Sequence, residues 1–540
     1  MKNFDGRLFY ILPGLASAEA ATAATVGSKA YGLARLARLG LPVPPAFVLG
    51  TAVCREYFAG NGQLPQDIPE LLSTGLAALE TATGRKLGST RHPLLVSVRS
   101  GAPVSMPGMM DTLLNVGLCE STAGGLLRTS GNPRLVYDCL RRLVRDFTVV
   151  VQGASAESFD TIVRRECQAQ GLATARSLDS VTLARIAQES AETALALVGR
   201  PFPQSPLEQL QQAVEAVFRS WEGEKARHYR RINHIPDDLG TAVTIQAMVY
   251  GNSGSTSGSG VGFTRDPSTG EDQLYLDFLF NAQGEDIVSG RHTVNDTQSL
   301  PMRLPQVSAE LSRLKSVLET EFRDAQDFEF TVEAGKLYLL QTRNAKRTPW
   351  AALRTAVDMV HQELITPAEA VERLAELKLD QIERVSLGKA ANTRPLASAV
   401  PAGLGVASGR VTFNIQQAKE LAAQGRPAIL VRPDIFTDDI EGIAAATGVL
   451  TAAGGRTSHA AVVARQLGKV CIVGCTELHF KGPATECEIS GVRLVEGDEL
   501  TLDGNTGRIY QGRLEVVRER PEAELAELTR WRAAAARKPG

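Results

Sequence analysis

Residues 454–465 read GGRTSHAAVVAR, where a glycine pair and a polar pair precede one histidine and an apolar, helix-forming run. We predict a helix over 460–466, N-capped by Thr457 or Ser458. His459 then lies in the first helical turn, where free N–H groups and the helix dipole favour an anion such as a phosphoryl group. The same field keeps the imidazole neutral, as a nucleophile requires. A partly buried histidine at a helix start is the alternative that these residues alone leave open.

Composition bounds the class of protein. A chain of 540 residues predicts three or four domains of roughly 150 residues each. With 43% hydrophobic and 22% charged residues it is typical of globular proteins, and its net charge of −2 argues against nucleic acid or an anionic membrane as the main partner. Seven scattered cysteines without a C-x-x-C pair favour a reducing compartment. Without a long apolar run or a signal-peptide pattern, we expect a cytoplasmic protein.

Hydrophobic periodicity predicts an α/β protein of several domains. Helices are predicted over 66–90, across most of 133–232, and over 349–384, followed by an irregular hinge at 385–400. A compact α/β unit follows at about 401–515, with Cys471 and Cys475 in its core, and then a charged helical tail. Strands are predicted at 46–49, 94–98, 242–249, 260–264, 273–279, 328–332 and 336–341, and residues 470–473 are expected to be a short buried run.

Two cations near the beginning of the chain are candidates for binding phosphate. Lys29 follows Gly27 and Ser28 before a predicted helix, although most lysines are simply solvated. Arg99 follows a buried strand and precedes Ser100-Gly101, and its planar guanidinium suits phosphate oxygens. The methionine-rich run at 105–112 could gate or dock a ligand, or could pack in the core.

Two further segments predict a metal–phosphate site. Residues 251–260, GNSGSTSGSG, lie between two predicted strands, and their N–H groups could close around phosphates, unless this is a plain hairpin loop. Asp327 and Glu329 alternate on one face of a strand, and Gln341 with Arg343 ends the next strand. Such oxygen donors suit Mg²⁺ bound to nucleotide phosphates, whereas a salt-bridged sheet edge is the alternative.

The histidine segment strongly resembles the phosphohistidine signature of the pyruvate phosphate dikinase and phosphoenolpyruvate synthase family. In that family the histidine carries a phosphoryl group between two distant active sites. One position departs from the family pattern: Ala453 stands where an arginine usually precedes the glycine pair, and Arg456 follows it. The resemblance also suggests Thr457 as a regulatory phosphorylation site beside His459.

The first half of the chain resembles the ATP-grasp domain of pyruvate phosphate dikinase. The matching strings are SVRSG at 97–101, MPGMMDT at 106–112, GFTR at 262–265 and NAQGED at 281–286, and the methionine string favours the dikinase branch. The resemblance implies that Glu329 and Gln341 hold Mg²⁺ and that Gln246, Met248 and Val249 lie beside the adenine. The remaining nucleotide-binding candidates are Lys29, Arg99, Thr256, Ser257, Gly258, Asp327 and Arg343.

The resemblance implies four parts. They are an ATP-grasp domain at 1–345 with a helical insert at about 133–232, a helical linker at 346–400, a swivelling phosphohistidine domain at 401–515 and a helical tail at 516–540. The family's C-terminal β/α barrel, which binds pyruvate or phosphoenolpyruvate, has no counterpart in this sequence, because about 30 remaining residues cannot supply the ~250 of a barrel.

The implied function is a dikinase-like phosphotransferase. Mg²⁺ and ATP, with Pi as a co-substrate, would phosphorylate His459 and release AMP and pyrophosphate. The acceptor, pyruvate or another molecule, would bind to a separate subunit or domain, and a homodimer is left open. Two alternatives also stay open: a phosphotransferase for an alcohol or phenol, and a non-catalytic, nucleotide-sensing regulatory subunit.

Overall fold

The computed structural model describes residues 6–12, 21–104, 106, 109–172, 174–288, 297–379, 382–388, 393–435, 440–454, 459–480 and 486–536. Contacts between Cα atoms divide the chain into two compact units, 1–257 with 331–343 and 258–330 with 344–540. The predicted mixed α/β class is confirmed, and the described strands form no closed barrel. The four-part domain division stays a prediction.

The elements before residue 258 build a sheet and a group of helices. Their bounds are β1 (Leu8–Ile11), α1 (Ala23–Arg38), β2 (Ala46–Leu49), α2 (Thr51–Ala59), α3 (Ile68–Thr83), β3 (Lys86–Leu87), β4 (Pro93–Leu94), β5 (Val96–Gly101), β6 (Thr112–Val116), α4 (Glu120–Ser130), α5 (Pro133–Val150), α6 (Glu157–Ala169), α7 (Ser180–Val198), α8 (Pro206–Ser220), α9 (Glu224–Ile232) and β7 (Ala242–Ala247). Five strands pair in the order β1-β2-β7-β5-β6.

The two faces of this sheet differ in polarity. Because side chains alternate along a strand, Phe47, Val98 and Ile245 share one face, and all three belong to a large buried core. The other face carries Arg99 opposite Thr244. The sheet therefore buries one face against helices and carries polar side chains on the other.

A second sheet follows, with strand order β11-β10-β8-β9. The elements of this region are β8 (Gly258–Phe263), β9 (Tyr275–Phe280), α10 (Gly284–Val288), α11 (Leu300–Arg303), α12 (Pro305–Phe322), β10 (Gln326–Glu333) and β11 (Lys336–Asn344). β8 begins two residues earlier than predicted. A Cβ added at Gly258, Gly260 or Gly262 would lie 2.2–2.3 Å from a ring carbon of Phe278, Phe330 or Phe328. These glycines make room for aromatic rings, and the expected glycine loop is correspondingly shorter.

The segment that was predicted as a linker is largely packed. It forms α13 (Pro349–His361), α14 (Pro367–Arg373) and β12 (Arg384–Leu387). Leu353 and Met359 of α13 share a buried core with Phe263 of β8. The buried Arg265, which follows β8, binds Glu319 of α12 at 3.0 and 3.1 Å and Gln362, just after α13, at 2.8 Å. The prediction of an irregular hinge at 385–400 was wrong at both ends, because residues 385–387 lie in β12 and residues 397–398 and 400 lie in two further strands.

The remaining elements belong to the second unit and include the helix that begins at His459. They are β13 (Ala397–Ser398), β14 (Val400–Gly403), β15 (Val406–Thr412), α15 (Ile415–Ala423), β16 (Ala428–Arg432), α16 (Ile440–Ala445), β17 (Gly448–Thr451), α17 (His459–Gln466), β18 (Val470–Val473), β19 (Leu478–Phe480), β20 (Glu486–Ile489), β21 (Val492–Val495), β22 (Glu499–Asp503), β23 (Arg508–Gln511), β24 (Val516–Glu519) and α18 (Glu522–Ala536).

An eight-stranded sheet, in the order β13-β23-β22-β15-β16-β17-β18-β14, forms the centre of this region. β15 to β18 pair in parallel, and β16 to β18 are almost entirely buried, as parallel strands covered on both faces should be. Ile443 of α16 and Ala464 of α17 cover one face. The small sheet β19-β20-β21 packs on the other face through Leu478 and Leu494.

Two strands connect this sheet to the packed helices. β12, before the sheet, and β24, after it, pair antiparallel from Arg384 opposite Glu519 to Leu387 opposite Val516. We call this pair the ribbon. After the ribbon, α18 packs through Leu525 and Leu528 into the core that contains α13 and α14. The predicted charged tail therefore has an apolar face that is buried.

Candidate active site

A break in α1 positions Lys29. Gly27 has φ 78° and ψ 157°, so that regular helix resumes only after it. A Cβ at this position would lie 1.9 Å from the Gly101 carbonyl oxygen, and Ser28 donates its backbone N–H to the Ala102 oxygen at 2.9 Å. Lys29 therefore lies in the first turn of the continuing helix, whose N–H groups favour an anion. The sequence indicated Gly27 only as a neighbour of Lys29, and a glycine before Ser-Lys was the signal that could have predicted this break in the helix.

Arg99 lies near the end of β5, on the polar face of the first sheet. Its Nη1 donates to the Leu340 carbonyl oxygen at 3.1 Å, and a Cβ at Gly32 of α1 would lie 3.1 Å from the Thr342 oxygen. Within the first unit, β5, α1 and β11 thus come together. This arrangement brings Lys29 and Arg99 close to the segment that carries Gln341 and Arg343.

The residues expected beside an adenine lie at the end of β7. Gln246 is buried, and its Nε2 donates to the Pro44 carbonyl oxygen at 3.1 Å. Met248 is buried and donates its N–H to the Leu95 oxygen at 3.0 Å, whereas Val249 is half-buried. The side-chain amide of Gln246 therefore supports the local fold, and contact with a base stays a prediction for all three residues.

Hydrogen bonds to the turn at Ala334 and Gly335 hold the loop at 251–257 in place. Ser257 is buried, and its Oγ accepts the Ala334 N–H at 2.9 Å. Thr256 is exposed, and its carbonyl oxygen accepts the Gly335 N–H at 2.9 Å. Gly258 is already part of β8, against Phe278. Of the three loop candidates, only Thr256 presents an exposed side chain.

The acidic and amide candidates lie on β10 and β11. Asp327 and Gln341 are buried, and Glu329 and Arg343 are half-buried. A carboxylate and an amide oxygen are hard donors of the kind that Mg²⁺ takes, so that Glu329 and Gln341 fit this ion chemically. No group of three His, Cys, Asp or Glu side chains gathers among the residues that the structure describes. A magnesium–nucleotide site needs only one or two carboxylates, because phosphates complete it.

The histidine segment lies at the carboxyl end of β17. α17 begins at His459 and runs to Gln466, which confirms the predicted helix with its first turn at the histidine. Ala453 donates to the Pro433 oxygen at 3.0 Å and accepts from the Gly474 N–H at 3.2 Å, so that the chain before the glycine pair is fixed between the ends of β16 and β18. Thr457 and Ser458, the predicted caps, lie outside the described residues.

Three methionines of the methionine-rich run pack into the fold. Met106 is buried with Ala102 and Trp221, and Met109 and Met110 pack against that cluster. This contact favours core packing over gating. A separate cavity of about 640 Å³ lies among α4, α7 and α8, lined by Glu120, Leu195 and Phe202 among others, and none of the predicted site residues line it.

Comparison with known proteins finds family matches both for the region of the nucleotide candidates and for the region of His459. Residues 61–307 match the family model of the pyruvate phosphate dikinase AMP/ATP-binding domain, and residues 424–507 match the mobile domain of the PEP-utilising enzymes. The chain belongs to the pyruvate phosphate dikinase family. It is 43% identical over 509 residues to "Pyruvate, phosphate dikinase" of Clostridium symbiosum and 39% identical over 518 residues to that of Rhizobium meliloti (strain 1021).

These matches cover most of this chain but a smaller part of each relative. They span 94% of the chain and 58% of both bacterial dikinases. For "Pyruvate, phosphate dikinase 1, chloroplastic" of Zea mays, 39% identical over 527 residues, the shares are 97% and 56%. The chain therefore spans somewhat more than half the length of these dikinases. Among the described residues, no helix is long and apolar enough to cross a membrane.

Proposed function

We propose that this chain uses Mg-ATP and Pi to phosphorylate His459, giving AMP and pyrophosphate, and that the phosphoryl group then passes to pyruvate or another acceptor on a separate subunit or domain. The observation that carries the proposal is the approach of α1, Arg99 and β11 within one unit, together with a helix that begins at His459 in the other. The family matches over both regions support it.

The residues have separate roles in this proposal. Lys29, Arg99 and Arg343 bind and neutralise the phosphates, which is the main requirement of phosphoryl transfer. Glu329 and Gln341 would hold Mg²⁺, which supplies further charge neutralisation when bound. An imidazole nitrogen of His459 attacks the β-phosphorus, and the bond from that phosphorus to the bridging oxygen of the α-phosphate breaks, so that AMP leaves. The terminal phosphoryl group then passes to Pi, which forms pyrophosphate and leaves phosphohistidine.

The first prediction concerns the phosphoenzyme. Incubation with Mg²⁺, Pi and ATP labelled at the β-phosphate should place acid-labile, base-stable label on His459, with release of AMP and pyrophosphate. His459→Ala should abolish the label, because the nucleophile is gone. The matched control is His479→Ala, since His479 is exposed on β19 of the same unit and its loss should leave labelling unchanged.

The alternatives give different results in the same assay. Label that persists on His459→Ala would refute the assignment of the nucleophile. Nucleotide binding without label or AMP would favour a regulatory subunit. Label on His459 that passes to an added alcohol or phenol, but not to pyruvate in the presence of the barrel of a relative, would identify the other class of phosphotransferase.

A further inference from the structure

A buried hydrogen bond ties the loop at 251–257 to the helices between residues 120 and 232. Asn252 is 1% exposed and Asp138 of α5 is 2% exposed. The Nδ2 of Asn252 donates to Oδ2 of Asp138 at 2.9 Å. This contact joins positions 114 residues apart in the sequence. Asn252 lies near the start of the loop, just before the loop's glycine-rich tip.

Asp138 is held as an ionised acceptor. Arg141 donates to its Oδ1 at 2.5 Å, and Arg142 donates to its Oδ2 at 3.2 Å. Although burial alone would raise it, these guanidinium groups hold the pKa of Asp138 well below its usual range. Hydrogen bonds to a buried, ionised group are stronger than those between neutral groups. Asn252 therefore has a strong and directional anchor.

Other hydrogen bonds fix the rest of the loop. Asn132, the N-cap of α5, donates its Nδ2 to the Ser253 oxygen at 3.2 Å. The hydroxyl groups of Ser253 and Ser257 lie 2.8 Å apart, and Ala334 and Gly335 hold the far end. Between these contacts lies the tip, formed by Gly254, with φ 142°, and by Ser255 and Thr256, whose side chains are exposed.

We propose that Asp138 is a positioning residue which, through Asn252, holds this loop in the conformation that receives the terminal phosphates of ATP. This inference rests on the proposed function, because it takes the loop as part of the nucleotide site. A loop of glycine and serine is costly to order, since glycine loses more conformational freedom than any other residue. The anchor supplies that order before the nucleotide arrives, so that less affinity is lost on binding.

The test compares Asn252→Ala with the wild-type chain. This variant removes the tie but leaves Asp138 paired with its two arginines, whereas Asp138→Asn would leave the buried Arg141 and the half-buried Arg142 without this carboxylate. The matched control is Gln170→Ala, which removes a 3.0 Å side-chain hydrogen bond to Thr182 between α6 and α7 and does not touch the loop. Three quantities are measured: hydrogen exchange of residues 251–258, affinity for Mg-ATP and for AMP, and kcat and KM for AMP formation.

We expect Asn252→Ala to speed exchange of the loop and to weaken ATP binding about tenfold, the order expected for one hydrogen bond to a charged group. AMP binding should not change, because AMP lacks the phosphates that the loop receives. Equal losses for ATP and AMP, or unchanged ATP binding despite faster exchange, would overturn the positioning role. A wild-type chain that binds no ATP would refute the proposed function itself, which separates the two failures.

Discussion

At the residue scale, the glycines of β8 are required by the aromatic rings that pack against them, rather than by an unusual backbone conformation. Gly260 is extended and buried, and its Cα faces the ring of Phe330. That ring stacks on Phe278 at 5.8 Å with an interplanar angle of 10°. A ring held in this way cannot easily move aside, so that the space over Gly260 is part of the packed core.

Gly260→Ala should therefore destabilise the second sheet by about 1–3 kcal/mol, the usual effect of overpacking a core. Hydrogen exchange of residues 258–263 and the urea midpoint measure the effect. Gly124→Ala is the control, because Gly124 lies within α4 and a Cβ added there would have no atom within 4 Å, and it should be neutral or stabilising. If Phe330→Leu restores no stability to Gly260→Ala, the ring clash is not the cause.

The sequence predicted several of the elements that carry the candidate residues correctly. The helix beginning at His459, the strand Ala46–Leu49 and the burial of Val470–Val473 follow from local patterns of apolar residues. The glycines of β8 could not be placed in a strand in this way, because the aromatic rings that fill their space come from Phe278 and Phe330, which are distant in sequence. Nor could the sequence indicate that the amide of Gln246 is engaged by Pro44.

At the element scale, the C-terminal helix α18 is part of a core that it shares with α13 and α14. Leu528 is completely buried, the His361 Nε2 and Glu527 Oε2 lie 2.7 Å apart, and Arg532 donates to the Leu374 oxygen at 3.3 Å. Local composition, rich in alanine and charge, gave no sign of this packing. Its partners come from a segment about 150 residues earlier, and that distance is why the sequence predicted only a tail.

Leu528→Ala should cost about 2–5 kcal/mol, as for other large-to-small changes in a core. Because the core is shared, hydrogen exchange should accelerate in α13 as well as in α18. Arg530→Ala serves as the control, since Arg530 is exposed and its ion pair with Glu527 is long, at 3.7 Å. Faster exchange confined to α18 would contradict a shared core.

At the scale of the whole molecule, buried thiols make the fold sensitive to alkali. All seven cysteines lie buried among the described residues. Burial raises the pKa of Cys471 and Cys487 to about 12, and that of Cys54 and Cys475 to about 11. An unfolded chain loses these protons near pH 8.5. The folded state retains them, so that their contribution to stability is complete below that pH and is lost as the pH rises toward the folded pKa.

Each such thiol should lower the free energy of unfolding by about 1.4 kcal/mol per pH unit between the two pKa values. Urea unfolding followed by circular dichroism at pH 8, 9 and 10 measures this slope. Cys471→Ala should be less stable at pH 8, because it leaves a cavity, but its slope should be shallower by that amount. An unchanged slope would mean that the thiol of Cys471 ionises equally in both states.

The ribbon of β12 and β24 affects how such a chain can evolve. Paired strands lie about 4.8 Å apart, so that the chain leaves the packed helices and returns to them at one point. The segment between Leu387 and Val516 therefore begins and ends at adjacent positions. A segment of this kind can be exchanged, lost or transplanted as a cassette without rerouting the rest of the chain. The part of the chain that carries His459 is in this sense replaceable, whereas the core that contains α18 lies outside the exchanged segment.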